Sequence, residues 1–260
     1  MMKNKIWIVG IGPGREDMMT VEAIQVLESV DVIVGYKVYT DLLGERFRDK
    51  EILTTPMTQE QERCELCFEK AAAGKKVALI CSGDAGIYGL ASLMLEVGKK
   101  HKKIELEMVP GVTAASSGAA LLGAPINHDF CVISLSDRLT PWEVINRRLM
   151  AAAYGDYAMV LYNPGSKGRK DALQKACDTL LRVVRDERCC GYVENIGREG
   201  TRVETCTLKE LRDREVNMFT TVYIGNSQSE IRNGKLITKR GYQIEKDAAS
   251  GRNNRRKKTV

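Results

Sequence analysis

The feature that most constrains the fold is a short apolar segment followed directly by a glycine-rich turn. This pattern occurs three times in the first half of the chain: KIWIV before GIGPG, VALIC before SGDAGIYG, and LEMV before PGVTAASSGAA. Segments this apolar, separated by stretches with helical periodicity, are typical of parallel strands in a sheet covered on both faces. Because such sheets bind ligands at the carboxyl ends of their strands, the three turns predict a binding cleft at one sheet edge.

The elements around these turns predict an α/β fold. Helical periodicity begins at Thr20, a residue that can cap a helix, and recurs over residues 59–73. The second half alternates less regularly, with a long helix expected over residues 171–185 and a hairpin at Asn233-Gly234. Its predicted strands are CVISL, AMVLY, GYVEN, RVET and TTVYI.

We therefore expect two α/β domains that divide near Gly111 and enclose a cleft. The first, residues 1–111, would carry a parallel sheet, and the second, residues 112–243, a mixed sheet. Residues 244–260 form a polar, basic tail that is predicted to be disordered. From Lys246 onward the tail has six basic residues and one acid, so it accounts for +5 of the net charge of +6. Nucleic-acid binding is therefore not expected of the rest of the chain, and a nucleic-acid-binding protein that uses the tail is the alternative from another class.

The lengths of the apolar runs and the cysteine pattern predict where in the cell the protein is located. No run approaches the roughly 20 residues of a membrane span, and the N-terminus lacks the features of a signal peptide, so we expect a cytoplasmic protein without membrane contact. The eight cysteines are expected to be reduced. Cys64 and Cys67 form a CxxC inside a helical pattern, but no second pair follows at zinc-finger spacing. No metal site is predicted, and a function for this pair stays open.

The GIGPG turn suggests a dinucleotide fold, but the surrounding residues argue against it. Gly10 and Gly12 match the first two glycines of the Rossmann fingerprint, whereas Arg15 occupies the position of the third. No acid ends the second predicted strand, and no GKS or GKT completes a P-loop. The turn instead offers backbone without side-chain bulk, stiffened by Pro13.

The SGDAGIYG turn places a carboxylate, Asp84, at the same sheet edge. Asp84 can accept hydrogen bonds from the hydroxyls or amides of a ligand, while Gly83 and Gly86 let a ligand approach the backbone. Alternatively, Asp84 caps a helix that begins near Gly86. The sequence leaves both interpretations open.

Several motifs together resemble the tetrapyrrole methylase family over about residues 4–242: GIGPG, GYKVYTDLL, SGDAGIYG, VPGVTAASSGAALLGAPINHDFCVISLSD and NIGREG. GYKVYTDLL and LSDRLTPWEVI are similar, more narrowly, to the members that methylate carbon 17 of precorrin-3B or cobalt-factor III in cobalamin biosynthesis. The resemblance implies a homodimer that binds S-adenosylmethionine between its domains and releases S-adenosylhomocysteine. It also implies an anionic tetrapyrrole substrate whose macrocycle contracts during methylation. A family member acting at a different precorrin carbon is the alternative.

The resemblance also implies which residues form the site. The cofactor-binding residues would be Pro13, Gly83, Asp84, Ile87, Tyr88, Thr113, Ala114, Asn163 and Thr220. The tetrapyrrole would lie against the glycines of the first turn, which are Gly10, Gly12 and Gly14.

The many carboxylates of such a substrate require cations, which arginine in particular binds through paired hydrogen bonds. Cations in predicted loops after strands are Lys37, Arg138, Lys167, Arg169 and Arg198. We expect them to hold the substrate, and the alternative is that they are solvated loop charges. Ring contraction also needs proton transfer, for which the candidates are Asp84, His128 and Asp129. None of the three is singled out by the sequence, and His128 is more typical of a structural hydrogen-bonding residue.

Overall fold

The computed structural model describes residues 4–166 and 168–242. Within these ranges the chain forms eight α-helices and thirteen strands. The helices are α1 (Val21–Ser29), α2 (Lys37–Thr40), α3 (Glu60–Ala72), α4 (Ala91–Gly98), α5 (Ala114–Leu122), α6 (Trp142–Tyr154), α7 (Ala172–Leu180) and α8 (Leu208–Arg212). The strands are β1 (Asn4–Gly10), β2 (Val32–Tyr36), β3 (Glu51–Thr55), β4 (Val77–Cys81), β5 (Ile104–Val109), β6 (Gly123–Ala124), β7 (Phe130–Ser134), β8 (Ala158–Tyr162), β9 (Cys189–Glu194), β10 (Arg202–Thr207), β11 (Thr220–Ile224), β12 (Ser229–Arg232) and β13 (Lys235–Thr238).

The first five strands form one parallel sheet in the order β3-β2-β4-β1-β5. Every residue of the central strand β4 is buried, because helices cover both faces of the sheet. On one face Ile8 and Leu79 pack against Phe68 of α3 and Met94 of α4. On the other, a second cluster packs against α1 around Leu27. The α/β class and the parallel first sheet are confirmed.

The second large sheet has the order β10-β9-β11-β8-β7 and is mixed, as predicted. Only β7 and β8 are parallel, and the other neighbours are antiparallel. Helices α6, α7 and α8 cover one face, while α5 covers the other around Leu122. A third sheet joins the β12–β13 hairpin to the short strand β6. The hairpin turn is at Asn233 and Gly234, whose φ angles of 51° and 71° are those of the predicted tight turn.

Two helix boundaries differ from the sequence-based expectation. The helix expected near Gly86 begins at Ala91, because Tyr88 has a φ of 56° that is incompatible with an α-helix. Helix α7 ends at Leu180, and residues 181–184 continue as turns that include the β-branched pair Val183-Val184. By contrast, Thr20 caps α1 as expected, since its Oγ1 accepts a hydrogen bond from the Ala23 amide at 3.1 Å.

None of the helices in the described part of the chain has the length and apolar character needed to cross a lipid bilayer. The predicted basic tail, residues 244–260, lies outside the described residues, as does Lys167.

Candidate active site

The three glycine-rich turns meet at the carboxyl edge of the first sheet. Gly10, Gly83 and Gly111 pack so closely that a Cβ atom on Gly10 would lie 2.7 Å from the Gly83 oxygen and the Gly111 nitrogen. Gly12 and Gly83 exchange two backbone hydrogen bonds of 3.1 and 2.7 Å. The turns therefore form one backbone platform, which only residues without side chains allow.

Asp84 joins the second turn to the third. Its Oδ1 accepts a hydrogen bond from the Gly86 amide at 2.8 Å, and its Oδ2 accepts one from the Gly111 amide at 2.9 Å. Because α4 begins only at Ala91, Asp84 does not cap that helix. The carboxylate instead fixes the distance between two turns that are far apart in sequence.

Tyr162, at the end of β8, joins the third turn to the second sheet. Its hydroxyl accepts a hydrogen bond from the Ala115 amide at 2.8 Å and lies 2.5 Å from Oγ1 of Thr113. Burial raises the pKa of Tyr162, so the phenol stays protonated and can donate to Thr113 at neutral pH. One hydroxyl thus positions the N-terminus of α5.

A pocket that we call the turn pocket opens between the three turns and the second sheet. Its lining is Pro13, Tyr39, Ser82, Gly83, Asp84, Ile87, Tyr88, Thr113, Ala114, Tyr162, Asn163, Ile196, Arg198, Met218, Phe219, Thr220 and Thr221. The structure therefore brings together all nine residues that the family resemblance implies for a cofactor. Ile87 and Tyr88 are 38% and 54% exposed, which leaves large apolar surfaces available to a ligand.

Two residues of the turn pocket have left-handed backbones that are unusual for side-chain-bearing residues. Tyr88 has a φ of 56° and Asn163 a φ of 55°. Each is held by a side-chain hydrogen bond, from the Tyr88 hydroxyl to the Val132 oxygen at 3.0 Å and from Asn163 Nδ2 to Ser134 Oγ at 3.0 Å. Strained backbone retained in this way is typical of ligand-binding sites.

A second cavity of about 850 Å³, which we call the arginine cavity, adjoins the turn pocket. The two share part of their walls, namely Tyr39, Ser82, Tyr88, Asn163 and Met218. Three arginines line the arginine cavity: Arg63 from α3, and Arg138 and Arg169 from loops after β7 and β8. The size and the positive charge suit a large anionic ligand.

The predicted substrate-binding cations separate into two groups. Arg138 and Arg169 line the arginine cavity, and Arg198 lines the turn pocket, where its guanidinium lies 4.7 Å from the centre of the Phe219 ring. Burial lowers the pKa of Arg198. Lys37 lines neither cavity, because it points to solvent and pairs with Asp41 at 2.8 Å. For Lys37 the structure favours the alternative of a solvated charge.

The glycines of the first turn line neither the turn pocket nor the arginine cavity. Gly10, Gly12 and Gly14 are all buried, and each packs against protein backbone. A Cβ atom on Gly14 would overlap the Gly197 carbonyl in the loop after β9. The expectation that these glycines contact the tetrapyrrole is therefore corrected. Gly14 is needed for close packing between the two halves of the molecule, and Gly10 and Gly12 are needed for close packing within the first half.

His128 and Asp129 lie away from both cavities. They precede β7, whereas the cavities lie beyond the carboxyl ends of β7 and β8. His128 Nδ1 accepts a hydrogen bond from the Asp129 amide at 2.8 Å, a local contact in an exposed loop. The structure therefore argues against both as acid–base candidates, and of the three only Asp84 lines one of these two cavities.

Comparison with known proteins agrees with this geometry. The profile of the Tetrapyrrole (Corrin/Porphyrin) Methylases matches residues 5–212. The chain belongs to the tetrapyrrole methylase family.

Relatives of this tetrapyrrole methylase match almost its whole length. A probable cobalt-factor III C(17)-methyltransferase of Salmonella typhimurium is 44% identical over 238 residues, covering 91% of this chain and 99% of that one. A precorrin-3B C(17)-methyltransferase of a Sinorhizobium species is 36% identical, covering 88% and 92% of the two chains. The crystal structure of the methyltransferase CobJ superposes with a TM-score of 0.84 at 32% identity, covering 91% of this chain and 100% of that one.

The cysteines of this tetrapyrrole methylase are all free thiols. Cys64 and Cys67 are buried in α3, and burial raises the pKa of Cys64 to about 12 and that of Cys67 well above its usual range. Across the described residues, no group of three or more histidine, cysteine or acidic side chains is arranged to hold a metal ion. Cys64 and Cys67 therefore pack in the hydrophobic core between the first sheet and helices α3 and α4.

Sequence reasoning missed several residues that this tetrapyrrole methylase places at its cavities. Tyr162 ends a predicted strand next to Asn163, so its position beside the pocket was available from the sequence. Arg63 was hidden in the pattern QEQERCELC, where a cation looks like part of a solvated helix face. Phe219 and Met218 precede a strand, and no local signal marks them as pocket residues.

Proposed function

We propose that this tetrapyrrole methylase transfers a methyl group from S-adenosylmethionine to carbon 17 of precorrin-3B or cobalt-factor III, with contraction of the macrocycle, in cobalamin biosynthesis. The observation that carries the proposal is that the turn pocket adjoins a larger, arginine-lined cavity and shares five lining residues with it, so that donor and acceptor can meet. Further support comes from the 44% identity with a probable cobalt-factor III C(17)-methyltransferase along nearly its full length.

The residues of the turn pocket fit S-adenosylmethionine. Ile87 and Met218 offer exposed apolar surface that suits an adenine ring. Thr113, Asn163 and Thr220 add polar groups that suit ribose hydroxyls and an amino-acid end.

The protein's part in the reaction is to position two reactants. When bound, S-adenosylmethionine supplies an electrophilic methyl group on a sulfonium, so the reaction needs no nucleophile from the protein. Cys81 lines the arginine cavity, but burial raises its pKa to about 11, and it remains a neutral thiol at neutral pH. Burial also raises the pKa of Tyr88 and of Tyr162, so both phenols stay protonated. Orientation by a fixed pocket can lower the barrier by about 7–11 kcal/mol.

Asp84 acts in this proposal as a positioning residue. Both of its carboxylate oxygens accept backbone hydrogen bonds that hold two turns of the pocket together. Because the turns carry Gly83, Ile87 and Thr113, a change in their spacing would move three predicted cofactor contacts at once.

We also propose the remaining features that the family resemblance implies. These are a homodimeric assembly, a cytoplasmic location, and division of the chain into domains of residues 1–111 and 112–243. Size-exclusion chromatography with light scattering is expected to give the mass of two chains, and the mass of a single chain would contradict the dimer.

The proposed reaction is tested by incubating the protein with methyl-labelled S-adenosylmethionine and either precorrin-3B or cobalt-factor III. We expect one labelled methyl group per macrocycle by mass spectrometry, and NMR should locate it at carbon 17 and detect the contracted ring. Calorimetry should detect binding of both S-adenosylmethionine and S-adenosylhomocysteine. Absence of heat with both ligands, or a methyl group at another carbon, would overturn the proposal.

A further inference from the structure

Arg63 is a buried cation whose guanidinium is only partly hydrogen-bonded. Its side chain is only 4% exposed, although a guanidinium carries a charge at any physiological pH. Its Nη2 donates hydrogen bonds to the carbonyl oxygens of Thr55 at 3.3 Å and Pro56 at 2.9 Å, but the buried Nε has no partner. No acidic side chain of the described residues forms an ion pair with it.

The surroundings of Arg63 do not otherwise compensate this charge. Arg63 occupies the first turn of α3, where the helix dipole disfavours a cation. Nearby Cys64, Cys67 and Cys81 are neutral, because burial raises the pKa of each thiol. The ring of Tyr36, 5.8 Å from the guanidinium carbon, offers only a weak cation–π contact. Burial of a charge that is only partly hydrogen-bonded costs free energy unless an anion neutralises it.

Arg63 lines the arginine cavity, which has cations on two walls. Arg63 contributes the wall built by the first sheet and its helices, and Arg138 and Arg169 contribute the wall built by loops of the second half. Arg169 lies 3.6 Å from Asp137, whereas Arg138 is exposed and unpaired among the described residues. Glu60 is the only acid among the described residues that line the cavity. With three arginines and one acid, the lining of the cavity as a whole has an excess of positive charge.

We propose that Arg63 binds one side-chain carboxylate of the tetrapyrrole at the buried end of the arginine cavity. This inference rests on the proposed function and adds a positioning residue to it. The carboxylate supplies the missing counter-charge. Arg138 and Arg169 reach the same cavity from loops of the second half, and further carboxylates bound there would fix the ring in rotation. Rotational fixing decides which ring carbon faces the turn pocket, so Arg63 contributes to the choice of carbon 17.

The proposal is tested with Arg63→Met, which keeps most of the side-chain length and removes the charge, and Arg63→Lys, which keeps the charge and removes the planar fork. Arg48→Met is the matched control, because Arg48 is exposed and pairs with Glu45 on the surface. Cobalt-factor III is titrated by absorbance, and S-adenosylmethionine is titrated by calorimetry. We expect Arg63→Met to raise the Kd for cobalt-factor III about tenfold to a hundredfold while the Kd for S-adenosylmethionine changes less than about twofold. Arg63→Lys should recover part of the affinity, and Arg48→Met should behave as wild type.

A change in the ligand, instead of the protein, distinguishes carboxylate binding by Arg63 from a purely structural role of this residue. Cobalt-factor III with esterified side-chain carboxylates should bind wild type much more weakly, and the penalty should be smaller for Arg63→Met, since the partner is already missing. Equal penalties in both proteins, or an unchanged Kd for the unmodified macrocycle, would overturn the inference. If wild-type protein binds neither S-adenosylmethionine nor cobalt-factor III, the proposed function itself fails.

Discussion

At the scale of single residues, a few side chains connect parts of the chain that lie far apart in sequence. Asp84 joins the second and third turns, and Tyr162 joins the third turn to β8 of the second sheet. Neither bond follows from a local pattern, yet each sets the shape of the turn pocket. Single substitutions at these positions should therefore lower both ligand affinity and stability.

Tyr162→Phe tests this role, because it removes one oxygen and keeps the ring. The Ala115 amide and the Thr113 hydroxyl would lose their partner. We expect the affinity for S-adenosylmethionine to fall about tenfold and the free energy of unfolding to fall by about 1–3 kcal/mol. Calorimetry and urea denaturation measure the two effects. Tyr154→Phe is the control, since Tyr154 is 74% exposed, and equal behaviour of the two variants would contradict the assignment.

At the scale of elements, the first turn lies between the two large sheets. Its Gly10 and Gly12 pack on the second and third turns, and its Gly14 packs on Gly197 in the loop after β9. The turn therefore ends β1 and also contacts the second half of the molecule. This close packing is why a glycine pattern that resembles a nucleotide-binding turn has a structural role here.

Gly14→Ala is expected to disturb this packing. A methyl group would overlap the Gly197 carbonyl, so one backbone segment must move, at a cost of about 1–3 kcal/mol in the free energy of unfolding. Affinity for S-adenosylmethionine should also fall, because Pro13 of the same turn lines the turn pocket. Gly168→Ala serves as the control for stability, since no atom lies within 4 Å of its added methyl group. If chemical denaturation gave Gly14→Ala and Gly168→Ala the same midpoint as the wild type, the close packing of Gly14 on Gly197 would be excluded.

At the scale of the whole molecule, two cores bury six thiols. Cys64, Cys67 and Cys81 belong to the core of the first sheet, and the second core contains Cys177, Cys190 and Cys206. Burial raises the pKa of Cys64, Cys177 and Cys206 to about 12 and that of Cys81 to about 11. Each thiol therefore stays protonated well above neutral pH, and the thiolate that reacts with alkylating agents is scarce.

The native protein should accordingly resist alkylation at these six positions at both pH 7 and pH 9. Because burial raises the pKa values of these thiols in the folded protein, the thiols are still protonated at pH 9. In the unfolded chain their pKa values are near the ordinary value for cysteine, so the thiols ionise in this pH range. Iodoacetamide followed by peptide mass spectrometry should detect the six thiols as modified only after addition of denaturant. Labelling of Cys64 or Cys67 in protein with a native circular dichroism spectrum would contradict their burial.

The sequence by itself determined the succession of strands, turns and helices. Periodicity and glycine placement act over a few residues, so the apolar segments, the cap at Thr20 and the hairpin at Asn233-Gly234 were predictable. The nine residues expected at the cofactor were implied by the family resemblance, and all nine line the turn pocket.

Only the tertiary structure decided which distant residues meet. The strand order β3-β2-β4-β1-β5 brings Gly10, Gly83 and Gly111 together, and this closeness turns the first glycines into packing residues instead of ligand contacts. The same assembly places Arg63 at a cavity wall and His128 at the far end of β7. Contacts of this kind depend on the order of strands in the sheets and on how the two halves pack together. Both result from packing interactions along the whole chain, so no short segment of sequence determines them.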